Sequence, residues 1–316
     1  MMLRLSGAPH LVTHKDTRTI MLLVLIALLP TSAAGVYLFG WNALMLIAVS
    51  CIGAVASEWA WQKLAKKPVR IGDLSALVTG LILALNLPAS APWWIALIGS
   101  VFAVVIVKQL YGGIGHNFMN PAMAARAMLL ASWPARMTTW LLPAPIGSGV
   151  DAVSSATFLA GGDFSYLDLF LGNVPGTIGE VCKAAVLLGF VFLLVTDVIK
   201  WRIPVIFMAT TALCTWAFGS GSFNFAGDPL AAVLSGGVMF GAVFMATDYT
   251  TSPMTAHGQY IYAAGCGLIV SVIRAFGAYP EGVTYAILLM NIATPLIDKF
   301  TRHKIYGEVK ARGKGK

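Results

Sequence analysis

The stretch from Asp151 to Thr157 carries the first side chains whose types and spacing could do chemistry. It contains Ser154, Ser155 and Ala156 immediately before Thr157 and lies in a segment rich in glycine and serine. No histidine occurs between residues 134 and 177, so no general base accompanies the threonine hydroxyl in this segment. The hydroxyl could instead accept a covalent modification, and the competing interpretation is an ordinary polar loop.

A second candidate region is the glycine-rich stretch Gly112–Ala122, which is followed by a short apolar run containing Arg126. Flexible backbone that leads into Asn120-Pro121 is typical of a broken helix at membrane depth, where protein or a cavity must bury it. A phosphate-binding loop would need a preceding strand and a lysine, and neither is present. Arg126 is an intramembrane charge and hence a functional candidate, although it could also pair with backbone carbonyls or extend to the interface.

Two aspartates lie at the ends of apolar runs. Asp248 follows such a run and could cap a turn or serve as a carboxylate on a cation pathway. Asp73 precedes another run, where helix capping is the favoured role. We predict no metal site, because the four cysteines lie in or beside apolar stretches without CxxC spacing and are expected to pack in the core.

The composition identifies the environment that must position these side chains. Only 11% of the 316 residues are charged and 58% are hydrophobic, with a mean hydropathy of +0.80. Soluble domains carry about 25% charged residues, so a soluble enzyme, a disordered chain and a nucleic-acid-binding module are all excluded. The composition indicates an integral membrane protein. Residues 1–18 lack the apolar stretch of a signal peptide, so the first apolar run is expected to be a retained span.

The apolar runs predict an all-α, polytopic membrane protein with about ten transmembrane helices. Each run approaches the roughly 20 residues that are needed to cross about 30 Å of hydrocarbon. The runs cover residues 20–39, 42–61, 71–88, 93–110, 118–133, 178–197, 203–219, 229–246, 259–276 and 282–298.

Positive charges orient these spans. With the N-terminus inside, ten Lys and Arg residues in inside segments and seven in the C-terminal tail place 17 of the 21 on one face. Both termini are then cytoplasmic, and the loop 134–177 lies outside, where its length is typical of a functional or disordered segment. Arg126, Lys183 and Arg274 lie within or at the ends of spans.

Two similar stretches predict an internal repeat. Leu74–Gly80 follows Gly72-Asp73, Leu230–Gly236 follows Gly227-Asp228, and each stretch opens the third span of a five-span half. Because five is odd, the halves must be inverted in the membrane, an arrangement that places binding sites near the midplane. The predicted division is residues 1–133 and 178–298 as two five-helix repeats, 134–177 as the outside loop and 299–316 as a basic cytoplasmic tail.

Taken together and in this order, the motifs resemble the RnfD family, the D-type subunits of the Rnf complex, an ion-translocating ferredoxin:NAD oxidoreductase. They are similar also to the related B-type subunits of the sodium-pumping NADH:quinone reductase. The resemblance covers nearly the whole chain. It departs from the family at Phe158, where proline is usual, at Met119, where phenylalanine is usual, and in a shorter outside loop. The motifs that carry it are Gly112–Ala122, Pro134–Trp140, the Ser-x-Ala-Thr motif, Ala246–Pro253, Ala278–Gly282, Leu288–Asn291 and Pro295–Asp298.

The resemblance implies a cofactor at Thr157. In that family a flavin transferase attaches FMN, through its phosphate, to the threonine that ends the Ser-x-Ala-Thr motif, and Asp151, Ser154, Ser155 and Ala156 here belong to the attachment motif. A phosphoester tethers the flavin without a binding equilibrium, so the protein needs only to orient the ring and tune its potential. The family also binds riboflavin non-covalently within its membrane part.

The resemblance also implies the setting of the chain. We expect a multi-pass component of a bacterial inner membrane, with both termini cytoplasmic and the flavin loop extracytoplasmic. Its partners would be lipid, the other Rnf subunits and the flavin transferase, with no nucleic acid, and ferredoxin/NAD redox would drive Na⁺ or H⁺ translocation. The candidate flavin or ion-path residues are Asn120, Arg126, Asp73 and Asp248.

Two other functions are compatible with the same pattern. One is a solute or ion channel of the urea or ammonium type, which also uses five-plus-five inverted repeats, and fold alone does not decide function. The other is a passive membrane scaffold for redox partners.

Overall fold

The structure, a computed structural model, describes residues 16–143, 165–219, 227–277 and 281–301. Apart from isolated β-bridge residues, among them the pair Pro88 and Thr177, the regular structure in these ranges is helical. The α-helices are α1 (Thr17–Phe39), α2 (Trp41–Leu64), α3 (Ser75–Leu85), α4 (Trp93–Val101), α5 (Pro121–Ser132), α6 (Pro134–Met137), α7 (Tyr166–Leu171), α8 (Lys183–Val195), α9 (Arg202–Phe218), α10 (Pro229–Leu234), α11 (Val238–Phe240), α12 (Ala256–Phe276) and α13 (Val283–Thr301).

Four helices, α1, α2, α12 and α13, are long and apolar enough to cross a membrane by length and composition. They contain 23, 24, 21 and 19 residues, which at 1.5 Å per residue is enough for the hydrocarbon core. Shorter apolar helices of 10–17 residues cover Ser75–Leu85, Trp93–Gln109, Lys183–Val195 and Arg202–Phe218. The prediction of an all-helical membrane protein is therefore confirmed, whereas the count of ten spans remains a prediction.

Several helices are interrupted inside the bundle. Helix α4 continues as a π-helical segment, Phe102–Gln109, and α11 continues as another, Gly241–Met245. Helix α3 stops after 11 residues, and the carbonyl of its last residue is satisfied from the segment before α8. The backbone N–H of Gly179 donates to the carbonyl of Leu85 at 2.8 Å. This contact helps non-helical backbone to exist among apolar helices, because the freed carbonyl finds a donor.

The two stretches that predict an internal repeat both open short helices. Asp73 accepts a hydrogen bond from the Ser75 backbone N–H at 2.9 Å at the start of α3. Asp228 accepts from the Leu230 N–H at 3.0 Å at the start of α10. Helix α10 is only six residues long and ends where Ser235 becomes extended. The local similarity is thus structural as well as sequential, while the inverted repeat as a whole remains a prediction.

Small residues bring the helices close together. A Cβ at Gly80 would lie 2.8 Å from the Ser50 carbonyl oxygen, so α3 approaches the backbone of α2 directly. The Ser50 hydroxyl donates to the Gly80 carbonyl at 2.8 Å. Packing of this kind is the main source of helix association in lipid, where burial of apolar surface supplies no driving force.

Candidate functional site: a polar-edged cavity and a separate charge cluster

A cavity lies between the interrupted helices, at the end of the bundle where α1 and α3 begin and α8 ends. It encloses about 810 Å³, counting the space open at its mouth. Its walls are mainly apolar, and its polar groups come from the loop before α5, from the turn after the second π-helical segment and from the end of the first. The lining residues are Ile20, Met21, Val24, Ser75, Val78, Thr79, Ile82, Lys108, Ile114, Asn117, Asn120, Pro121, Ala122, Leu193, Val198, Ile199, Val243, Phe244, Thr247, Asp248, Tyr249 and Thr250.

Asn120 connects two interrupted helices at the edge of this cavity. Its side-chain oxygen accepts from the backbone N–H groups of Ala122 and Met123 at 3.0 and 3.2 Å, which caps α5. Its side-chain nitrogen donates to the Met245 carbonyl at 3.3 Å, at the end of the second π-helical segment. Pro121 occupies the first helical position, where its missing N–H costs nothing. The asparagine therefore holds both the start of α5 and the wall opposite it.

Glycines shape the loop that delivers Asn117 and Asn120 to the cavity. Gly112, Gly113 and Gly115 have φ angles of 121°, 95° and 86°, in a region that side chains with a Cβ rarely adopt. The Asn117 amide nitrogen donates to the Thr250 hydroxyl at 3.1 Å, so the loop is joined to the turn after the second π-helical segment. The glycine-rich motif thus serves the folding of the loop.

Asp248 organises the turn opposite that loop. Its carboxylate accepts from the Thr250 backbone N–H at 3.1 Å and from the Thr250 hydroxyl at 2.9 Å. Burial raises the pKa of the Asp248 carboxyl, and the hydrogen bonds from Thr250 act in the opposite direction. Asp73 is not among the cavity residues, but its carboxylate accepts from the Ser75 hydroxyl at 2.7 Å, and Ser75 lines the cavity.

A buried ion pair that the sequence analysis did not single out lies beside the same cavity. The Lys108 ammonium is 3.0 Å from Glu58 Oε1 and donates to the Ser75 hydroxyl at 2.6 Å. Gln109 also donates to Glu58 Oε1, at 2.5 Å. The sequence shows Glu58 as a carboxylate inside an apolar span, which is a signal for a functional residue. Lys108 gives no such signal, because it resembles the other positive charges at the inner ends of helices.

Arg126 lies apart from the cavity, in a second buried group of charges. Its Nη2 donates to Glu281 Oε2 at 2.5 Å, and its Nη1 donates to the Asn86 side-chain oxygen at 2.8 Å. This group lies where α8 and α13 begin and α12 ends, at the opposite end of α8 from the cavity. We call it the Arg126 cluster, and its charged members are Arg126, Glu180, Lys183, Arg274 and Glu281.

Two further cations of the Arg126 cluster are bound by backbone carbonyls. Lys183 donates to the carbonyls of Glu180 and Gly236, the latter at 2.9 Å. Arg274 donates to the carbonyls of Ala232 and Ser235 at 2.6 and 3.1 Å, where α10 ends. Helix ends leave carbonyls without partners, and cations are stabilised there by the helix dipole.

The structure therefore separates the predicted site residues into two regions. Asn120 and Asp248 share the cavity, Asp73 lies behind it, and Arg126 belongs to the charge cluster. The residues predicted to carry covalent FMN, Asp151, Ser154–Ala156 and Thr157, lie outside the described residues. Lys183 and Arg274 were recognisable as charges at span ends, but their association with Arg126 requires the fold.

Comparison with known proteins shows sequence similarity over almost the full length of the chain. The chain is similar to a protein of Acetobacterium woodii that is named as the D subunit of a Na⁺-translocating ferredoxin:NAD⁺ oxidoreductase complex. The two are 50% identical over 99% of this chain and 98% of that protein. The corresponding protein of Clostridium ljungdahlii, named as proton-translocating, is 43% identical over 96% of each chain. The D subunit of the ion-translocating oxidoreductase complex of Stutzerimonas stutzeri is 43% identical over 93% of each.

A family model agrees with these relatives. The model described as the NQR2, RnfD, RnfE family matches residues 4–307, and this range includes both the cavity and the Arg126 cluster. The chain belongs to the NQR2, RnfD, RnfE family.

Proposed function

We propose that this chain is the RnfD component of an ion-translocating ferredoxin:NAD⁺ oxidoreductase complex, in which it carries electrons through FMN attached to Thr157. The observation that carries the proposal is the 50% identity, over nearly the full length of both chains, to a protein named as that component. Ferredoxin and NAD chemistry then takes place on other subunits, which together with lipid and a flavin transferase are the partners of this chain. The names of the relatives include both Na⁺ and proton translocation, so they do not select the ion.

The arrangement in the membrane follows from the same proposal. We infer ten crossings as two inverted five-helix repeats in a bacterial inner membrane, with both termini cytoplasmic and the loop 134–177 outside. In support, each of the ten apolar runs contains helical structure, and the run 229–246 is divided among α10, α11 and the second π-helical segment. At the start of each of the short helices α3 and α10, which open equivalent runs, an aspartate accepts a hydrogen bond from a backbone N–H of the first turn.

Attachment of FMN to Thr157 is tested by mass spectrometry of the peptide that contains it, after co-expression of the chain with its flavin transferase. The native peptide is expected to carry an FMN-sized addition, and Thr157→Ala is expected to lose both the addition and the in-gel flavin fluorescence. Ser155→Ala is the matched control, because it removes a hydroxyl at the variable position of the Ser-x-Ala-Thr motif and should keep the flavin. Covalent FMN in the Thr157→Ala variant would show that the assignment is wrong.

We propose further that the cavity beside Asn120 binds riboflavin. Small-molecule sites are mainly apolar with a few placed polar groups, and the lining of this cavity has that character. An isoalloxazine ring has an apolar dimethylbenzene edge and a pyrimidine edge that both donates and accepts hydrogen bonds. Val78, Ile82 and Phe244 offer apolar contact to the first edge, while Asn117 and Thr247 offer amide and hydroxyl groups to the second.

In this proposal the protein binds and orients the ring, and the flavin when bound supplies a redox centre between the two sides of the membrane. Lys108 lies at the cavity wall, where its ammonium is already held by Glu58 and Ser75. A positive charge at that position stabilises negative charge on a bound ring electrostatically. Asn120 fixes the wall of the site by joining the start of α5 to the second π-helical segment.

The cavity assignment is tested by counting the flavin that is released on denaturation, relative to the covalent FMN that stays on the chain. Asn117→Ala removes a polar group from the cavity, and Val78→Trp fills it. Each variant is expected to lower the amount of released flavin severalfold. Leu110→Ala changes an exposed side chain near the loop but outside the cavity and should leave the ratio unchanged. An unchanged ratio in both cavity variants would contradict the assignment without affecting Thr157.

A further inference from the structure

The Arg126 cluster contains a carboxylate that no cation neutralises directly. Glu180 is 3% exposed, and its Oε1 atom accepts from the Thr177 backbone N–H at 3.0 Å. Its Oε2 atom has no hydrogen-bond donor, and within the described ranges no Lys or Arg nitrogen lies within 4 Å of the carboxylate. A buried polar atom without a partner is unusual and costs stability. This oxygen therefore lacks the donor that its position demands.

The Glu180 carboxylate interacts with a second carboxyl group. The side chains of Glu180 and Glu281 interact with each other, and Glu281 also accepts the 2.5 Å hydrogen bond from Arg126. Backbone packing holds Glu180 in place, because a Cβ at Gly237 would lie 2.9 Å from its Oε2 atom. Two ionised carboxylates in contact repel each other, so a buried carboxyl pair generally holds a proton between its members.

The charges that face this pair come from three helices. Arg126 extends from α5, Lys183 from the start of α8 beside the thiol of Cys182, and Arg274 from the end of α12. Lys183 and Arg274 give their hydrogen bonds to backbone carbonyls, so they act on the pair only through space. Because three cations face two carboxyl groups, protonation of both carboxyl groups is electrostatically unfavourable. The cations keep one carboxyl of the pair ionised and limit its capacity to one proton.

We propose that Glu180 and Glu281 bind a single proton between them, and that this carboxyl pair is a proton-binding site at the end of the bundle opposite the cavity. The proton bridges Glu180 Oε2 and Glu281, so the oxygen without a donor gains a partner while Glu281 keeps its ion pair with Arg126. No bond between heavy atoms changes. Water supplies the proton and takes it back.

Access to this site is through Glu281. Its side chain is 16% exposed, compared with 7% for that of Arg126, and Glu180 lies behind it. A sodium ion needs several oxygen ligands, and the backbone carbonyls of Ala232, Ser235 and Gly236 already accept hydrogen bonds from Lys183 and Arg274. A proton needs only the two carboxyl oxygens.

The experiment is infrared difference spectroscopy of the purified full-length chain between mildly acidic and alkaline pH. The pair is expected to give the C=O stretching band of a protonated carboxyl, above the amide I band, with a downward shift in D₂O. Glu281→Gln and Glu180→Gln should each abolish this band, because the remaining carboxylate receives a donor from the new amide and stays ionised. Glu281→Asp keeps a carboxyl group and should shift the band without removing it.

Glu58→Gln is the matched control, since Glu58 is also a buried carboxylate but is paired directly with Lys108. The band should persist in this variant. A band that survives in both Glu180→Gln and Glu281→Gln would overturn the proposal. Loss of the band when NaCl is added at constant pH would identify the occupant as a sodium ion and would also overturn it. Covalent FMN on the peptide of Thr157, measured in the same samples, tests the proposed function separately.

Discussion

The ion pair between Lys108 and Glu58 allows a quantitative prediction for the variant Lys108→Met. Both side chains are almost completely buried, at 4% and 2% exposure, so solvent does not screen their interaction. The substitution keeps the apolar length of the side chain but removes the charge and the hydrogen bond to Ser75. Glu58 then keeps only the donor from Gln109. Breaking one partner of a buried pair costs about 3–5 kcal/mol, because an uncompensated charge remains, and we expect a loss of stability in that range.

A double-mutant cycle separates this cost from general damage to the core. In Lys108→Met/Glu58→Gln no charge is left without a partner, so the double variant should be more stable than Lys108→Met alone. The assay is unfolding by SDS in mixed micelles, followed by tryptophan fluorescence. Lys63→Met is the control, because Lys63 is exposed and packs on the Trp59 ring at 4.4 Å. It should cost no more than about 1 kcal/mol.

Two results would refute this reasoning. One is a loss of less than about 1 kcal/mol in Lys108→Met, which would equal the median for an exposed pair. The other is a double variant whose loss equals the sum of the two single losses, since additivity indicates that the groups do not interact.

Three further predictions concern the loop, the helix packing and the end of the bundle opposite the cavity. Gly115→Ala should destabilise the chain by about 1–2 kcal/mol, because φ is 86° there. Gly72→Ala should not destabilise it, since Gly72 has an ordinary φ and open space where a Cβ would lie. Equal unfolding midpoints of the two variants in SDS would contradict this prediction. Gly189→Leu should separate α8 from α1, since even a Cβ at this position would collide with the Ala27 carbonyl of α1 and lie 2.7 Å from the Phe244 ring. An unfolding midpoint of this variant equal to that of the native chain would argue against that packing. The hydrogen bond from Tyr166 lowers the pKa of Asp228. The contribution of this hydrogen bond to stability is therefore present above the pKa that Asp228 has in the unfolded chain, and it is lost as the pH falls through the lowered pKa of the folded chain. Tyr166→Phe should therefore raise the Asp228 pKa in a carboxyl ¹³C NMR titration, and an unchanged pKa would show that the bond does not form.

Features that depend on neighbouring residues could be predicted from the sequence. The Asn120-Pro121 pair marks the start of α5, because an asparagine cap and a proline at the first helical position are local signals. Asp73 was expected to cap a helix, and its hydrogen bonds reach only two residues along the chain. The interruptions of α3 and α10 were harder to predict, since a helix that breaks inside a bundle needs partners for its carbonyls from distant segments.

The sequence by itself determined that this protein lies in a membrane, because the scarcity of charge and the length of apolar runs are summed along the chain. It also contains the motifs that carry the family resemblance. Only the tertiary structure decided which polar residues meet. Arg126 pairs with Glu281, 155 positions away, and Lys108 with Glu58, 50 positions away. A buried charge must find its partner in space, and helix packing brings together residues whose separation along the chain contains no information about their contact.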